Sequence, residues 1–467
     1  MDTKKWGLWV LTAFVVGNMV GGGVFMLPAN LAQVSGPMGS TLAWTITGLG
    51  VFMIALVFGN LAMRKPNLKA GPQSYAQAMF KSPKYGKVAG YSMAWGYWAA
   101  TASVIISFAG YLSTFFPVLQ SKQILFTTNG FSLELGKALT FAVCSIMLWG
   151  IQYILSQNID RAGNMNLLAT VAKIIGFTMF IIITLFIFNA ANFGDGQTFM
   201  NEAGKSIPLG GQINAAAIST LWAFIGIESA VMLSNRAKSQ RDVKKATIFG
   251  LVIALLIYVA ITLLTMGALP QDVLKGSQKP LVDALSMAIG NKGAYIMAFL
   301  ALVSLFGSTV GWIVVSAEVP YQAAKSGLFP AFFGKTNKKG SPTNSLLLTN
   351  IMTQVFLFST ISGSVSEAYT FAIVVATLAY LIPYLVSTLY QLKLIITGET
   401  YNNMQGSRKL DGVITVLALI YSIWVVKTGT SDMKTFLLGI GLFVVGLILY
   451  PLIMKNTIDN KPDTKIS

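Results

Sequence analysis

The segment Gly17-Asn18-Met19-Val20-Gly21-Gly22-Gly23-Val24-Phe25-Met26-Leu27-Pro28 sets three consecutive glycines in the middle of an apolar run. Glycine costs a helix about 1 kcal/mol relative to alanine. Three together invite the chain to unwind where freed N–H and C=O groups find no water, which a bilayer tolerates only beside a cavity or a ligand. The stretch reads as an interrupted membrane helix whose backbone has a recognition task. Close packing of neighbouring helices through small residues is the plainer alternative.

The surrounding chain fixes the setting. Hydrophobic residues make up 54% and charged residues 10% of 467 residues, with a mean hydropathy of +0.66. A soluble chain carries about 25% charged residues. Apolar runs long enough to cross a bilayer lie near 7–34, 38–63, 88–118, 135–155, 163–189, 212–235, 244–269, 283–317, 343–361, 366–392, 412–427 and 435–454. The expectation is an all-α integral membrane protein of about twelve helices, one transmembrane domain over 1–467 with a short tail at 455–467. The first run is long and lacks a small-residue cleavage pattern, so it reads as a span and not a signal peptide.

The formal charge of +17 raises the question of a nucleic-acid partner, and its distribution answers it. With a cytoplasmic N-terminus, the inner segments hold 24 Lys and Arg and the outer segments eight, leaving Lys173 inside a span. That is the positive-inside bias, which places both termini in the cytoplasm. The basic run from Arg64-Lys65 to Lys87 reads as a topology signal in preference to a polyanion or lipid site. The partner expected is the lipid bilayer, with no nucleic acid; a homodimer is compatible with the sequence.

Enzyme chemistry has little to stand on. One cysteine, Cys144, excludes an internal disulfide, and the absence of histidine removes the commonest metal ligand and general base. No nucleophile elbow, P-loop or zincin motif is present. No cofactor or metal is expected.

A second interruption lies in Thr220-Leu221-Trp222-Ala223-Phe224-Ile225-Gly226-Ile227-Glu228-Ser229-Ala230, about two hundred residues after the first. Two broken helices at corresponding positions of two halves point to a secondary transporter built from inverted repeats, with substrate at the breaks. Spans one to five (about 7–189) and six to ten (about 212–392) form the repeats, and helices eleven and twelve (about 412–454) follow. This five-plus-five arrangement is the LeuT-like fold. Amides opening one half-helix attract a carboxylate, and carbonyls closing the preceding one attract an ammonium group. The result is a receptor for an α-amino acid made almost entirely of backbone.

Three stretches carry a resemblance: GNMVGGGVFMLPANLA in the first span, TLWAFIGIESA in the sixth and AAKSGLFPAFF after the eighth. Together they resemble the amino acid/polyamine/organocation transporter superfamily, and within it the bacterial basic amino acid and polyamine antiporters. The resemblance implies that Gly22 and Gly23, with Gly21, meet a substrate carboxylate. The ammonium would meet carbonyls near Met19, Trp222 and Ile225, beside Gly226. Trp222 and Trp312 are the implied aromatic partners, and the mechanism implied is alternating access. One departure is Gly22, where the family commonly has serine, so a hydroxyl donor to the carboxylate is missing.

Individual residues bear this out unevenly. Trp222, Ile225, Gly226 and Ser229 are spaced i, i+3, i+4 and i+7, one face if the helix is continuous. Packing is the ordinary reading of such a stripe, yet tryptophan is also the best side chain beneath a cation. Glu228, a carboxylate deep in a span, must be neutral, paired or wet; it matches a glutamate that is a candidate proton sensor in related exchangers. Lys173 lies ten residues into its span, too deep to reach the surface readily. It resembles a lysine whose ammonium takes the place of sodium in sodium-independent relatives, bracing the first and eighth helices. Trp98, Thr101 and Ala102 of the third span are candidates for the pocket wall. Asn18 and Ser308 are polar at depth and suited to hydrogen-bonding broken backbone.

The function expected is sodium-independent antiport of an amino acid against a related amine or amino acid. Arginine/ornithine, agmatine/putrescine and tyrosine/tyramine are the candidate pairs. A proton-coupled symporter or uniporter of the same fold is the alternative.

Overall fold

The computed structural model describes residues 5–68, 71–95, 99–128, 131–193, 199–200, 204–277, 279–362, 365–401 and 406–429, with scattered positions between 437 and 451. The first span divides into α1 (Leu8–Met19) and α2 (Gly22–Val34), followed by α3 (Pro37–Arg64), α4 (Pro72–Met79), α5 (Pro83–Ala94) and α6 (Ala99–Leu112). Next come α7 (Leu135–Gln157), α8 (Asp160–Phe186), α9 (Leu209–Ala223), the single turn α10 (Ser229–Met232), α11 (Gln240–Ala268) and the short α12 (Gln271–Gly276). The chain continues through α13 (Pro280–Lys325), α14 (Thr343–Leu357), α15 (Ser359–Ser362), α16 (Val365–Thr397) and α17 (Arg408–Gly429).

Nine helices among the described residues are long and apolar enough to cross a membrane. Large apolar side chains point outward from them, such as Leu168 at 74% and Phe186 at 86% exposure, as expected where lipid is the solvent. The expected spans coincide with helices, with two corrections. The run 88–118 carries α5 and α6, with 96–98 outside the described residues. The run 283–317 begins in a separate piece, because Ile289 and Gly290 (φ +69°) break the helical path inside α13, and the second piece continues to Lys325. Between α6 and α7, strands β1 (Ile124–Thr128) and β2 (Phe131–Glu134) form an antiparallel hairpin, so the chain is mostly but not wholly helical. Alternating Phe, Thr and Ser around Asn129-Gly130 is a hairpin signal outweighed by the surrounding apolar runs. Of the twelfth run, only scattered helical positions are described, and the tail 455–467 lies outside the described residues.

The interrupted helices sit at the centre of the packing. Helix α1 packs on α8, α11 and α13, while α2 packs on α6, α9 and α13. Around them stand α3, which contacts α9, α11 and α17, and α16, which contacts α6 and α17.

Buried polar side chains tie the ends of these helices together. The Arg64 guanidinium binds Asp411 at 2.7 Å and lies 3.7 Å over the Tyr401 ring, joining α3 to α17. Tyr401 donates to Asp411 at 2.9 Å. Burial first, then the hydrogen bond and charge of Asp411, holds the Tyr401 phenol above its ordinary value, so it remains a donor. Asn60 donates to the other Asp411 oxygen at 2.9 Å and accepts from Lys244 of α11 at 2.9 Å.

Candidate functional site

The first break is narrow. Val20 N–H still reaches the Val16 carbonyl at 2.7 Å, but Gly21 N–H turns back to the Met19 carbonyl at 2.7 Å. Helix α2 then starts at Gly22. Unwinding is therefore at Val20–Gly21, and Gly22 and Gly23 form the first turn of the second half-helix. First-turn amides lack intrahelical partners, so this turn presents the donors expected of a carboxylate receptor.

The second break is wider. Helix α9 ends at Ala223, residues 224–228 are turns, and Gly226 has φ +111°. The i, i+3, i+4, i+7 face read across Trp222 to Ser229 does not exist as a continuous helix, because Gly226 takes a backbone conformation that L side chains rarely adopt. Ile225 N–H donates to the Trp222 carbonyl at 3.1 Å within this turn. The end of α9 is held by aromatics: Tyr258 donates to the Ala223 carbonyl at 2.6 Å and stacks on Trp44 at 5.3 Å.

The two breaks touch. A Cβ on Gly226 would stand 3.0 Å from both Asn18 Cβ and Met19 N. One on Gly23 would stand 3.3 Å from Trp222 Nε1. Asn18 lies between them, its Nδ2 donating to Ser229 Oγ at 2.8 Å and its carbonyl accepting from Trp312 Nε1 at 3.0 Å. The Trp312 ring meets Tyr380 of α16 edge-on at 5.8 Å. Trp222 and Trp312 are 5% and 2% exposed. Met19, Gly21, Gly23, Trp222, Ile225, Gly226, Trp312 and Asn18 are thus brought together in a closed core.

Lys173 enters from α8. It lies thirteen residues into that helix, about 20 Å at 1.5 Å per residue. Its ammonium donates to the Gly17 carbonyl at 3.0 Å and to Ser308 Oγ at 2.8 Å, while Ser308 donates to the same carbonyl at 2.8 Å. The bracing of the first and eighth spans is therefore direct. Thr101 of α6 shares a 3.2 Å hydrogen bond with Ser316, four residues past Trp312 on α13. Trp98 lies outside the described residues.

Glu228 is held between the second break and α16. One carboxylate oxygen accepts from Gly226 N–H at 3.2 Å and from the Tyr384 phenol of α16 at 2.5 Å. The other is buried without a hydrogen-bond partner among the described residues. Glu228 therefore connects the second break to α16.

Sequence reasoning missed Tyr384, which sits 156 positions from its partner with no spacing to betray it. It also missed Asn166 of α8, wedged against Gly17 at 2.7 Å to a Cβ built there. A closure on one side was missed as well. Arg236 binds Glu318 through Nε and Nη2 at 3.1 and 3.0 Å, and its backbone pairs with that of Trp6. The pair joins the start of α1 to α13 and, with Asp160 and Gln322, lines an open cleft of about 670 Å³.

Comparison with known proteins identifies the family. The sequence profile described as amino acid permease matches residues 7–448. A Bacillus subtilis protein named as a candidate arginine/ornithine antiporter is 58% identical over 457 residues, covering 97% of each chain. An arginine/ornithine antiporter of Pseudomonas aeruginosa is 37% identical over 462 residues, covering 96% of this chain and 91% of its own. An arginine/agmatine antiporter of Chlamydia felis is 33% identical over 461 residues, covering 96% and 89%. These similarities run through both breaks and nearly every helix described above, and the chain belongs to the amino acid permease family of the amino acid/polyamine/organocation superfamily.

Proposed function

We propose that this chain is a sodium-independent antiporter that exchanges arginine for ornithine across a bacterial plasma membrane by alternating access. The observation that carries the reading is the contact of the second break, at Gly226, with the first, at Asn18–Met19. The relatives named as arginine/ornithine antiporters support this exchange pair over proton-coupled symport. In this reading the chain is a single domain of two inverted five-helix repeats, with both termini in the cytoplasm.

The common amino-acid head sits on backbone. Its carboxylate meets the first-turn amides of α2 at Gly22 and Gly23, and its ammonium meets carbonyls ending α1 and α9. The side-chain cation lies against the rings of Trp222 and Trp312, a contact worth about 0.5–2 kcal/mol. Thr101, bonded to Ser316, lines the remaining wall. Lys173 holds the Gly17 carbonyl with a fixed ammonium where a sodium-coupled transporter would need an ion. Glu228, bonded to both the second break and Tyr384, links protonation to movement of α16.

A competition panel tests the substrate assignment. Arginine and ornithine should displace labelled arginine more strongly than agmatine, putrescine, tyrosine and tyramine. Stronger displacement by an amine lacking the carboxylate contradicts the proposed role of Gly22 and Gly23.

A further inference from the structure

The basic run after α3 folds into something more specific than a topology signal. Together with the last turns of α16 it lines an open cleft of about 610 Å³ at the end of the bundle. Four cations border it: Arg64, Lys65, Lys81 and Lys393. The acidic partners of this group are Glu399, paired with Lys65, and Asp411, paired with Arg64. Among the described residues lining the cleft, two positive charges are left in excess.

Two of the cations are fixed in place. Asp411 grips Arg64 through two nitrogens, at 3.1 and 2.7 Å, and Tyr401 supports its face. Lys393 donates to the Ala78 and Met79 carbonyls at the end of α4, at 3.3 and 2.6 Å, which stations its ammonium at the mouth. Lys81 follows two residues after α4, on the opposite wall, and is exposed.

The rim has a different chemistry. Phe80 borders the cleft at 47% exposure, and Ile396, one turn past Lys393, is 68% exposed. Phe80 directly follows α4, and Ile396 stands beside the cleft residue Thr397 at the end of α16, where a spanning helix leaves the hydrocarbon. A phosphate oxyanion satisfies the cations alone, whereas a phospholipid satisfies the cations with its headgroup and the apolar rim with its chains.

We infer that this cleft binds the phosphate headgroup of an anionic phospholipid, with Lys81 and Lys393 as its principal contacts. Basic pockets between membrane helices favour such headgroups by about 1 kcal/mol per basic residue, or roughly fivefold in affinity. None of the residues lining this cleft is among those assigned to substrate binding or coupling, so the inference is independent of the exchange reading.

The test is thermal unfolding of the purified full-length protein in detergent, titrated with phosphatidylglycerol, phosphatidylcholine or inorganic phosphate. Phosphatidylglycerol should raise the unfolding temperature at concentrations where phosphatidylcholine and phosphate do not. Lys81→Gln should weaken this response about fivefold, and Lys81→Gln with Lys393→Gln about 25-fold. Lys393 also holds α4, so Lys81→Gln decides the matter if the double variant is unstable. Equal responses to the two lipids, a full response to inorganic phosphate, or an undiminished response in Lys81→Gln would each overturn the inference.

Discussion

Replacing Gly226 by alanine asks whether the two breaks depend on each other. Gly226 has φ +111°, and a non-glycine residue held in such a region costs about 1–3 kcal/mol. The added Cβ would also stand 3.0 Å from Met19 N and 3.1 Å from the Asn18 carbonyl carbon. Both are backbone atoms at the end of α1, directly before the first break, so no change of side-chain rotamer relieves the contact. Overpacking of this kind costs about 1–3 kcal/mol. Together the two effects predict a loss of about 2–6 kcal/mol. Gly150, in the middle of α7 with nothing within 4 Å of a built Cβ, supplies the control, where alanine should stabilise by about 0.5–1 kcal/mol. The assay is thermal unfolding of purified variants followed by tryptophan fluorescence, paired with labelled arginine uptake. Gly226→Ala should unfold well below the wild type and lose transport, with Gly150→Ala at or above it. Wild-type stability together with wild-type uptake in Gly226→Ala would refute the claim that the breaks form one fitted unit.

Three further outcomes follow from the same geometry. Trp222→Ala removes the ring beside Gly23 and should raise the half-saturating arginine concentration by about 2- to 30-fold, the equivalent of about 0.5–2 kcal/mol of cation–π contact; unchanged saturation would place the substrate elsewhere. Glu228→Gln preserves a side-chain acceptor for Gly226 and Tyr384 but no longer exchanges a proton, so transport should lose pH dependence, and a profile matching the wild type would remove Glu228 from coupling. Glu318→Gln leaves the buried Arg236 guanidinium without its carboxylate and should cost about 3–5 kcal/mol, part of which Arg236→Met added to it should recover; a strictly additive pair would show that the contact is not a coupled closure.

What the sequence disclosed was governed by how costly each residue is in a bilayer. The glycines at 21–23 and 226 were legible because unwound backbone in lipid is expensive without a reason. Lys173 was legible for the same reason, since an ammonium at that depth needs partners. Its partners, the Gly17 carbonyl and Ser308, are an atom present in every residue and a small side chain, and the sequence singled out the helices they brace. Tyr384 and Asn166 stayed hidden because a tyrosine or an asparagine in an apolar helix is cheap enough to pass as packing. The continuous face read across Trp222 to Ser229 failed because helical spacing assumes helical dihedrals, and Gly226 violates them. The kink at Gly290 blurred a span boundary for a similar reason: hydropathy counts residues and is blind to direction.

The central claim is exchange at a site built on the two breaks, and counterflow in proteoliposomes tests it most directly. Purified protein is reconstituted with or without internal ornithine, and uptake of labelled external arginine is followed without sodium or a proton gradient. The account predicts rapid uptake into ornithine-loaded vesicles and almost none into empty ones. Accumulation in empty vesicles under an imposed proton gradient, with no stimulation by internal ornithine, would contradict it.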